Sequence, residues 1–214
     1  MLKLYHLEQS RSLRILWLLE ELGLDYELET YSRDPETLRA PASLGERAPM
    51  PKSPIIEDDG RALVESGAII DYLTEVKANG ELAYGPESSH YPEYRQWLHF
   101  TEGSLMCPLV YHLIASAMGC EHEGLQSFTD GEIATYLGFL TRQLERHDYL
   151  VADAFSAADV QMSFPLEFAE ARGVLKDYPV LQRYLQRLQA RPAYRRAREK
   201  GGNYDLSVFS LGVA

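Results

Sequence analysis

Three short runs carry side chains able to grip a charged ligand. Ser10-Arg11-Ser12 stands between an alternating apolar stretch and a leucine-rich one. A helix starting there exposes unsatisfied N–H groups and about half a positive charge, which favours an anion. Ser10 can either cap that helix or donate its hydroxyl to the anion. Glu65-Ser66-Gly67 repeats the arrangement further on. Ser66 and the backbone N–H groups after it suit a carboxylate, while Glu65 suits an ammonium. Donors for a carboxylate beside an acceptor for an ammonium have the polarity of an α-amino acid head group. Lys52, within Pro51-Lys52-Ser53-Pro54, can hold a second carboxylate at the other end. The plainer reading makes Ser66 an N-cap and Lys52 a solvated charge.

Other chemistries lack their residues. There is no G-x-S-x-G elbow for a hydrolytic serine, and the scattered histidines assign no triad. The C-x-x-C of a dithiol site is absent. His112, Cys120 and His122 have no recognised metal spacing and read as surface and loop residues, so no metal site is expected.

The elements that must position these residues follow from periodicity. Leu2, Leu4 and His6 alternate with Lys3, Tyr5 and Leu7, a short strand. From Ser10–Ser12 a helix runs through Leu13, Ile15, Leu16, Trp17, Leu18, Leu19 and Leu22 to a stop at Gly23. It is apolar almost all round, so it needs cover on more than one side. Leu24 to Tyr31 alternates again and completes a βαβ opening with parallel strands. After a proline-marked connection, Ile55-Ile56-Glu57 and Ala62-Leu63-Val64 flank Asp58-Asp59-Gly60-Arg61, a hairpin signal. Ser66 then caps a helix built on Ile69, Ile70, Tyr72, Leu73 and Val76.

Asn79-Gly80 and Gly85-Pro86-Glu87-Ser88-Ser89 mark a linker. Beyond it the periodicity is helical throughout, which divides the chain into an α/β domain over 1–80 and an all-α domain over 88–214. In the second, Ser156 and Asp159 form an acidic capping box, with Phe155 and Val160 as its hydrophobic staple. That signal is structural.

Composition sets the outer bounds. The 214 residues are 45% hydrophobic and 25% charged, with a formal net charge of -11. Such a chain buries a core, and its acidity argues against nucleic acid as a partner. No apolar run approaches a membrane span, the first residues lack a signal peptide's features, and two cysteines make no disulfide scaffold. A cytoplasmic location is expected.

Tyr5-His6-Leu7-Glu8-Gln9-Ser10-Arg11-Ser12 and Arg14-Ile15-Leu16-Trp17-Leu18-Leu19-Glu20-Glu21-Leu22-Gly23 resemble the opening of cytosolic-type glutathione transferases. The likeness is to a bacterial and fungal group with a serine at the strand–helix turn. Lys52-Ser53-Pro54-Ile55-Ile56, Glu65-Ser66-Gly67-Ala68-Ile69 and Ser156-Ala157-Ala158-Asp159 resemble three further motifs of that family, in order. The resemblance implies a thioredoxin-like N-terminal domain and a C-terminal helical bundle. It implies a cis Pro54, turning the Ser53 backbone towards the cysteinyl part of glutathione. Glu65 and Ser66 would hold the γ-glutamyl head group, Lys52 the glycyl carboxylate, and Ser10 would donate to the sulfur. Arg11 and Ser12 are close enough to assist or substitute, and Tyr5 is a rival donor near where tyrosine-type relatives carry theirs. Pro51 departs from the family's usual glycine, and the first helical turn lacks the cysteine of cysteine-type relatives.

The energetics are adequate. Lowering a thiol pKa by about two units needs about 2.7 kcal/mol of preference for the thiolate. A hydrogen bond to a charged group supplies roughly 1.5–3 kcal/mol and a helix N-terminus about 0.3–1. The implied reaction is attack of the glutathione thiolate on a small hydrophobic electrophile, with glutathione as co-substrate and no other cofactor. The electrophile is expected between the domains, where the helix carrying Leu105, Met106, Leu109 and Tyr111 forms part of the wall. Tyr111 either faces that site or packs into the core. A two-fold homodimer is implied. The rival readings are a non-catalytic binding or assembly module, and a glutathione-dependent peroxidase or reductase of the same fold.

Overall fold

A computed structural model describes residues 1–48, 50, 52–119 and 122–210. Strand β1 (Lys3–Leu7) leads into helix α1 (Ser12–Glu21), and β2 (Glu27–Tyr31) returns parallel to β1. A short helix α2 (Ala42–Gly45) lies in the connection to β3 (Ile55–Asp58), which forms an antiparallel hairpin with β4 (Arg61–Val64). Among the described residues the sheet order is β2-β1-β3-β4. Asp59 and Gly60 close the hairpin with φ of 49° and 77°, the left-handed pair that matches the twist of flanking strands. Helix α3 (Ser66–Asp71) follows at once and widens into a π-helical turn over Tyr72–Lys77.

The second compact unit comprises Pro86–Leu188 together with the residues from Leu206. Its helices are α4 (Tyr91–Phe100), α5 (Met106–Ala117), α6 (Glu123–Leu144), α7 (Ala157–Ala171) and α8 (Pro179–Gln189). Between α4 and α5 the chain widens into a π turn over Thr101–Leu105. Pro108 has no N–H for the Ser104 carbonyl, which lies within that turn. Trp97 of α4 stacks on Phe139 of α6 with ring centroids 5.1 Å apart. The capping box at Ser156 and Asp159 is formed as expected. The all-α reading holds for the described residues, apart from an isolated bridge between Val151 and Ala154. None of the described helices is long and apolar enough to cross a membrane.

Helix α9 (Pro192–Lys200) corrects the division at 80 and 88. The first compact unit is Met1–Gly85 joined by Gln189–Asp205. The physical reason lies in α1, whose Ile15, Leu16, Trp17, Leu18 and Leu19 are all 0% exposed. A helix buried all round needs a partner besides β1 and α3, and α9 supplies it. Trp17 meets Tyr194 edge-on at 5.3 Å, and Arg191 forks onto Glu21 at 2.6 and 2.9 Å.

Glu20 is the electrostatic centre of that seam. Burial alone would push its carboxyl up, but hydrogen bonds from Lys200, Tyr26 and Arg196 pull it down to about 2. A depressed folded-state pKa gives stability that is present above the unfolded value and is lost as pH falls towards the folded one. We expect urea midpoints to fall between about pH 5 and pH 2, and Glu20→Gln to abolish that part of the fall. Arg196 and Lys200 are half-exposed, so screening limits the effect to about 1–2 kcal/mol. Identical acid profiles in the two proteins would refute it.

Candidate functional site

Strand registers gather the chemistry at one end of the sheet. Tyr5 of β1 is opposite Ile55 of β3, and Ile55 is opposite Val64 of β4. The chain leaving β1, the chain entering β3 and the chain leaving β4 therefore share an edge. Those three segments carry Ser10, Ser53–Pro54 and Glu65–Ser66. Two non-glycine residues there are left-handed, Gln9 at φ 53° and Glu65 at φ 71°. Each costs on the order of 1–3 kcal/mol and persists only where its surroundings hold it.

Ser10 is 5% exposed and its Oγ is a junction. It donates to the Leu7 carbonyl at 2.8 Å, and lies 2.9 Å from Ser12 Oγ and 3.0 Å from Ser53 Oγ. It also accepts the Ser12 backbone N–H at 3.1 Å. Helix α1 begins at Ser12 with Arg11 at the cap position, and the Arg11 side chain makes no capping bond. Of the two jobs left open by its sequence, the structure shows the first: Ser10 Oγ holds the first helical N–H, while its own proton goes to the Leu7 carbonyl.

Ser53–Pro54 is cis. Ser53 joins Ser10 and Ser12 in a group of three hydroxyls from two segments. Lys52 is exposed, and its backbone N–H donates to the Met50 carbonyl at 2.8 Å. Pro51 and Cys120 lie outside the described residues. Glu65 is exposed and occupies the cap position of α3, so the expected N-cap role of Ser66 is not what forms. Ser66 instead accepts a hydrogen bond from the Arg14 guanidinium at 3.1 Å, both side chains being buried. The local cap signal is overridden because a cation 52 residues earlier takes that oxygen.

Tyr5 is engaged elsewhere. Its hydroxyl donates to Glu57 at 2.7 Å, and burial followed by that carboxylate raises the phenol pKa above its usual value. Tyr111 is 55% exposed on α5, so it is not a core residue, whereas Leu105, Met106 and Leu109 are buried within the helical unit. His112 pairs with Asp130 at 3.4 Å and His122 caps α6 through Nδ1 at 3.2 Å.

Three residues of this end were not singled out by sequence reasoning. Arg33 donates to the carbonyls of Glu8, Gln9 and Leu38 at 3.2, 3.0 and 2.8 Å, clamping the turn that precedes Ser10. His6 reaches Ser12 Oγ through Nδ1 at 2.8 Å. Arg14 is the third. A polar residue at a strand end or on an otherwise apolar helix was the available signal in each case. What the arrangement offers is a group of three hydroxyls at a helix start, beside an exposed carboxylate. Those parts suit a ligand carrying an ammonium and an anionic group.

Comparison with known proteins bears on that chemistry. The profile described as Glutathione S-transferase, N-terminal domain, matches residues 1–75, and that described as Glutathione S-transferase, C-terminal domain, matches residues 116–192. Glutathione S-transferase 3 of Schizosaccharomyces pombe is 34% identical across 98% of this chain and 92% of its own length. The crystal structure of a glutathione S-transferase from Actinobacillus pleuropneumoniae superposes with a TM-score of 0.88, at 33% identity over 97% of this chain and 96% of that one. A sphingomonad glutathione S-transferase complexed with glutathione superposes with a TM-score of 0.77, at 25% identity over 94% and 98% of the two chains.

Proposed function

Because this chain belongs to the glutathione S-transferase family, we propose that its serine turn is where the glutathione thiolate is formed and held. The protein is a transferase that joins glutathione to an electrophile. In our reading Ser10 donates its hydroxyl to the sulfur, and Ser12 and Arg11 assist from the same turn. The Ser53 backbone before Pro54 pairs with the cysteinyl residue, Glu65 and Ser66 take the γ-glutamyl head group, and Lys52 takes the glycyl carboxylate. The observation that carries the reading is Ser10 Oγ, buried and 3.0 Å from Ser53 Oγ at the cis-proline turn. Glutathione acts as co-substrate and no other cofactor enters. Tyr111, exposed on α5, is our candidate contact for a small hydrophobic electrophile. We extend the reading to a homodimer in the cytoplasm. Membership of the family supports the dimer, and the scarcity of cysteine is consistent with a reducing compartment.

Retention on immobilised glutathione, followed by turnover of a generic aryl halide, tests the whole reading. Retention without turnover would favour a binding module instead. The rivalry with Tyr5 is settled by Tyr5→Phe. The Tyr5 hydroxyl is bonded to Glu57, so we expect turnover within about twofold of wild type and a stability loss of about 0.5–1.5 kcal/mol. A hundredfold loss of turnover in a folded Tyr5→Phe protein would move the donor role to Tyr5.

A further inference from the structure

His6 is 0% exposed and stands behind the two serines. Its Nε2 lies 2.9 Å from the Gly201 carbonyl oxygen and its Nδ1 2.8 Å from Ser12 Oγ. A carbonyl accepts and never donates, so Nε2 carries the ring proton. Burial lowers the ring's pKa, against upward pulls from Gly201, the Glu8 charge and Ser12, so the ring is a neutral imidazole at about pH 7. Nδ1 is then a lone pair, and the Ser12 hydroxyl, which also reaches the Leu7 carbonyl at 3.0 Å, is the donor that faces it at the shorter distance of 2.8 Å. Ser12 Oγ is in turn 2.9 Å from Ser10 Oγ. Three hydrogen-bonding atoms from three residues thus run in series from a buried base to the hydroxyl assigned to the sulfur. The approach of Gly201 is close: a Cβ there would stand 3.1 Å from Nε2 and 2.9 Å from the Ala197 carbonyl oxygen.

We infer that His6 is the proton acceptor for the glutathione thiol, reached through Ser10 and Ser12. The inference rests on Ser10 being the sulfur's partner. In the step, the S–H bond breaks and its proton forms an O–H bond on Ser10 Oγ. Ser10 turns its hydroxyl from the Leu7 carbonyl to Ser12 Oγ and passes that proton on, and the proton that Ser12 carried passes to Nδ1. Each oxygen loses one proton and gains one, the sulfur keeps its electron pair, and the products are a thiolate and an imidazolium. Nδ1–H then donates to Ser12, Ser12 to Ser10, and Ser10 to the thiolate, so every donor in the series points at the new anion. That negative charge, two hydroxyls away, favours the imidazolium that burial alone disfavours. Thr30 is the register partner of His6 across the strand pair, Ser12 from α1 and Gly201 after α9 bond the ring, and Glu8 is the charged group whose field reaches it.

The experiment counts protons. Glutathione is mixed with the intact protein in weakly buffered indicator at neutral pH, while thiolate is followed by its ultraviolet absorbance. Wild type is expected to release far less than one proton per thiolate formed, because the proton stays on His6. His6→Gln keeps a donor for Gly201 and offers Ser12 no imidazole, so release should rise to about one proton per thiolate, with the thiol pKa about one unit higher. Ser12→Ala leaves the His6–Gly201 bond intact and should give the same proton count, which separates the relay from a folding defect. Full release by wild type, or an unchanged count in His6→Gln, would overturn the inference. Undiminished thiolate formation in Ser10→Ala would instead remove the Ser10 reading beneath it.

Discussion

Ser10→Ala is expected to raise the thiol pKa of bound glutathione by about 1–2 units, because it removes one hydrogen bond to the charged form. At a fixed pH below that pKa, each unit lowers the thiolate fraction about tenfold, so turnover should fall about 10–100-fold. Affinity for glutathione should change little, since Glu65, Ser66, Lys52 and the Ser53 backbone are untouched. The substitution also strips the Ser12 N–H of its acceptor, a loss comparable to an N-cap at about 0.5–2 kcal/mol. The melting temperature must therefore be measured beside the ultraviolet titration of the thiol. The diagnostic result is a titration shifted upward in a protein that is folded and retained on immobilised glutathione. A titration superimposable on wild type would exclude Ser10 as the sulfur's partner.

What could be read of this site from sequence was what is local. Ser10 stands beside an apolar helix, Glu65-Ser66 follows a hairpin marked by Asp59-Gly60, and each can be weighed from its neighbours. What could not be read depends on partners far along the chain. Ser66 has the local signature of a cap, yet its oxygen belongs to Arg14, 52 residues away. His6 reads as one more residue of an alternating strand, and its significance comes from Gly201, 195 residues on. Spacing statistics hold Ser53–Pro54 trans; only the family resemblance pointed to the observed cis bond.

The same distinction explains the fold. Strong periodicity made β1, α1 and the β3–β4 hairpin legible, and the acidic capping box announced α7. Helix α9 escaped because it is short and buries only Ala193, Tyr194 and Ala197, a face too small to stand out among four basic side chains. Its start was nevertheless signalled by Pro192, a residue suited to the first helical turn. The all-round apolarity of α1 required an additional cover, and sequence alone did not say which segment provides it. Membership of α9 in the first unit is the answer.

Asp159→Ala should be the most destabilising single change in the helical unit, at about 3–5 kcal/mol. An N-cap partner alone would cost about 1 kcal/mol. The Asp159 carboxylate does more than cap. It is fully buried and accepts from the Ser156 N–H at 2.8 Å, the Ser156 hydroxyl at 3.1 Å, the Leu150 N–H at 3.0 Å and the Tyr184 hydroxyl at 2.6 Å. One side chain therefore joins the start of α7, the segment before it and α8. Burial pushes its pKa up while those four donors pull it down, so the donors are what make the buried carboxylate tolerable. Removing it strands two backbone N–H groups and a buried phenol, each costing about 1–3 kcal/mol when unsatisfied. Asp159→Asn should fall between, because one amide oxygen still accepts while the NH2 group faces donors. Urea midpoints for the three proteins should order wild type, Asn, Ala, with similar slopes. The folded fraction of each variant should conjugate glutathione at the wild-type rate, since the carboxylate acts on helix docking and on none of the reacting atoms. A stable Asp159→Ala protein without activity would reverse that assignment and make the buried carboxylate part of the chemistry.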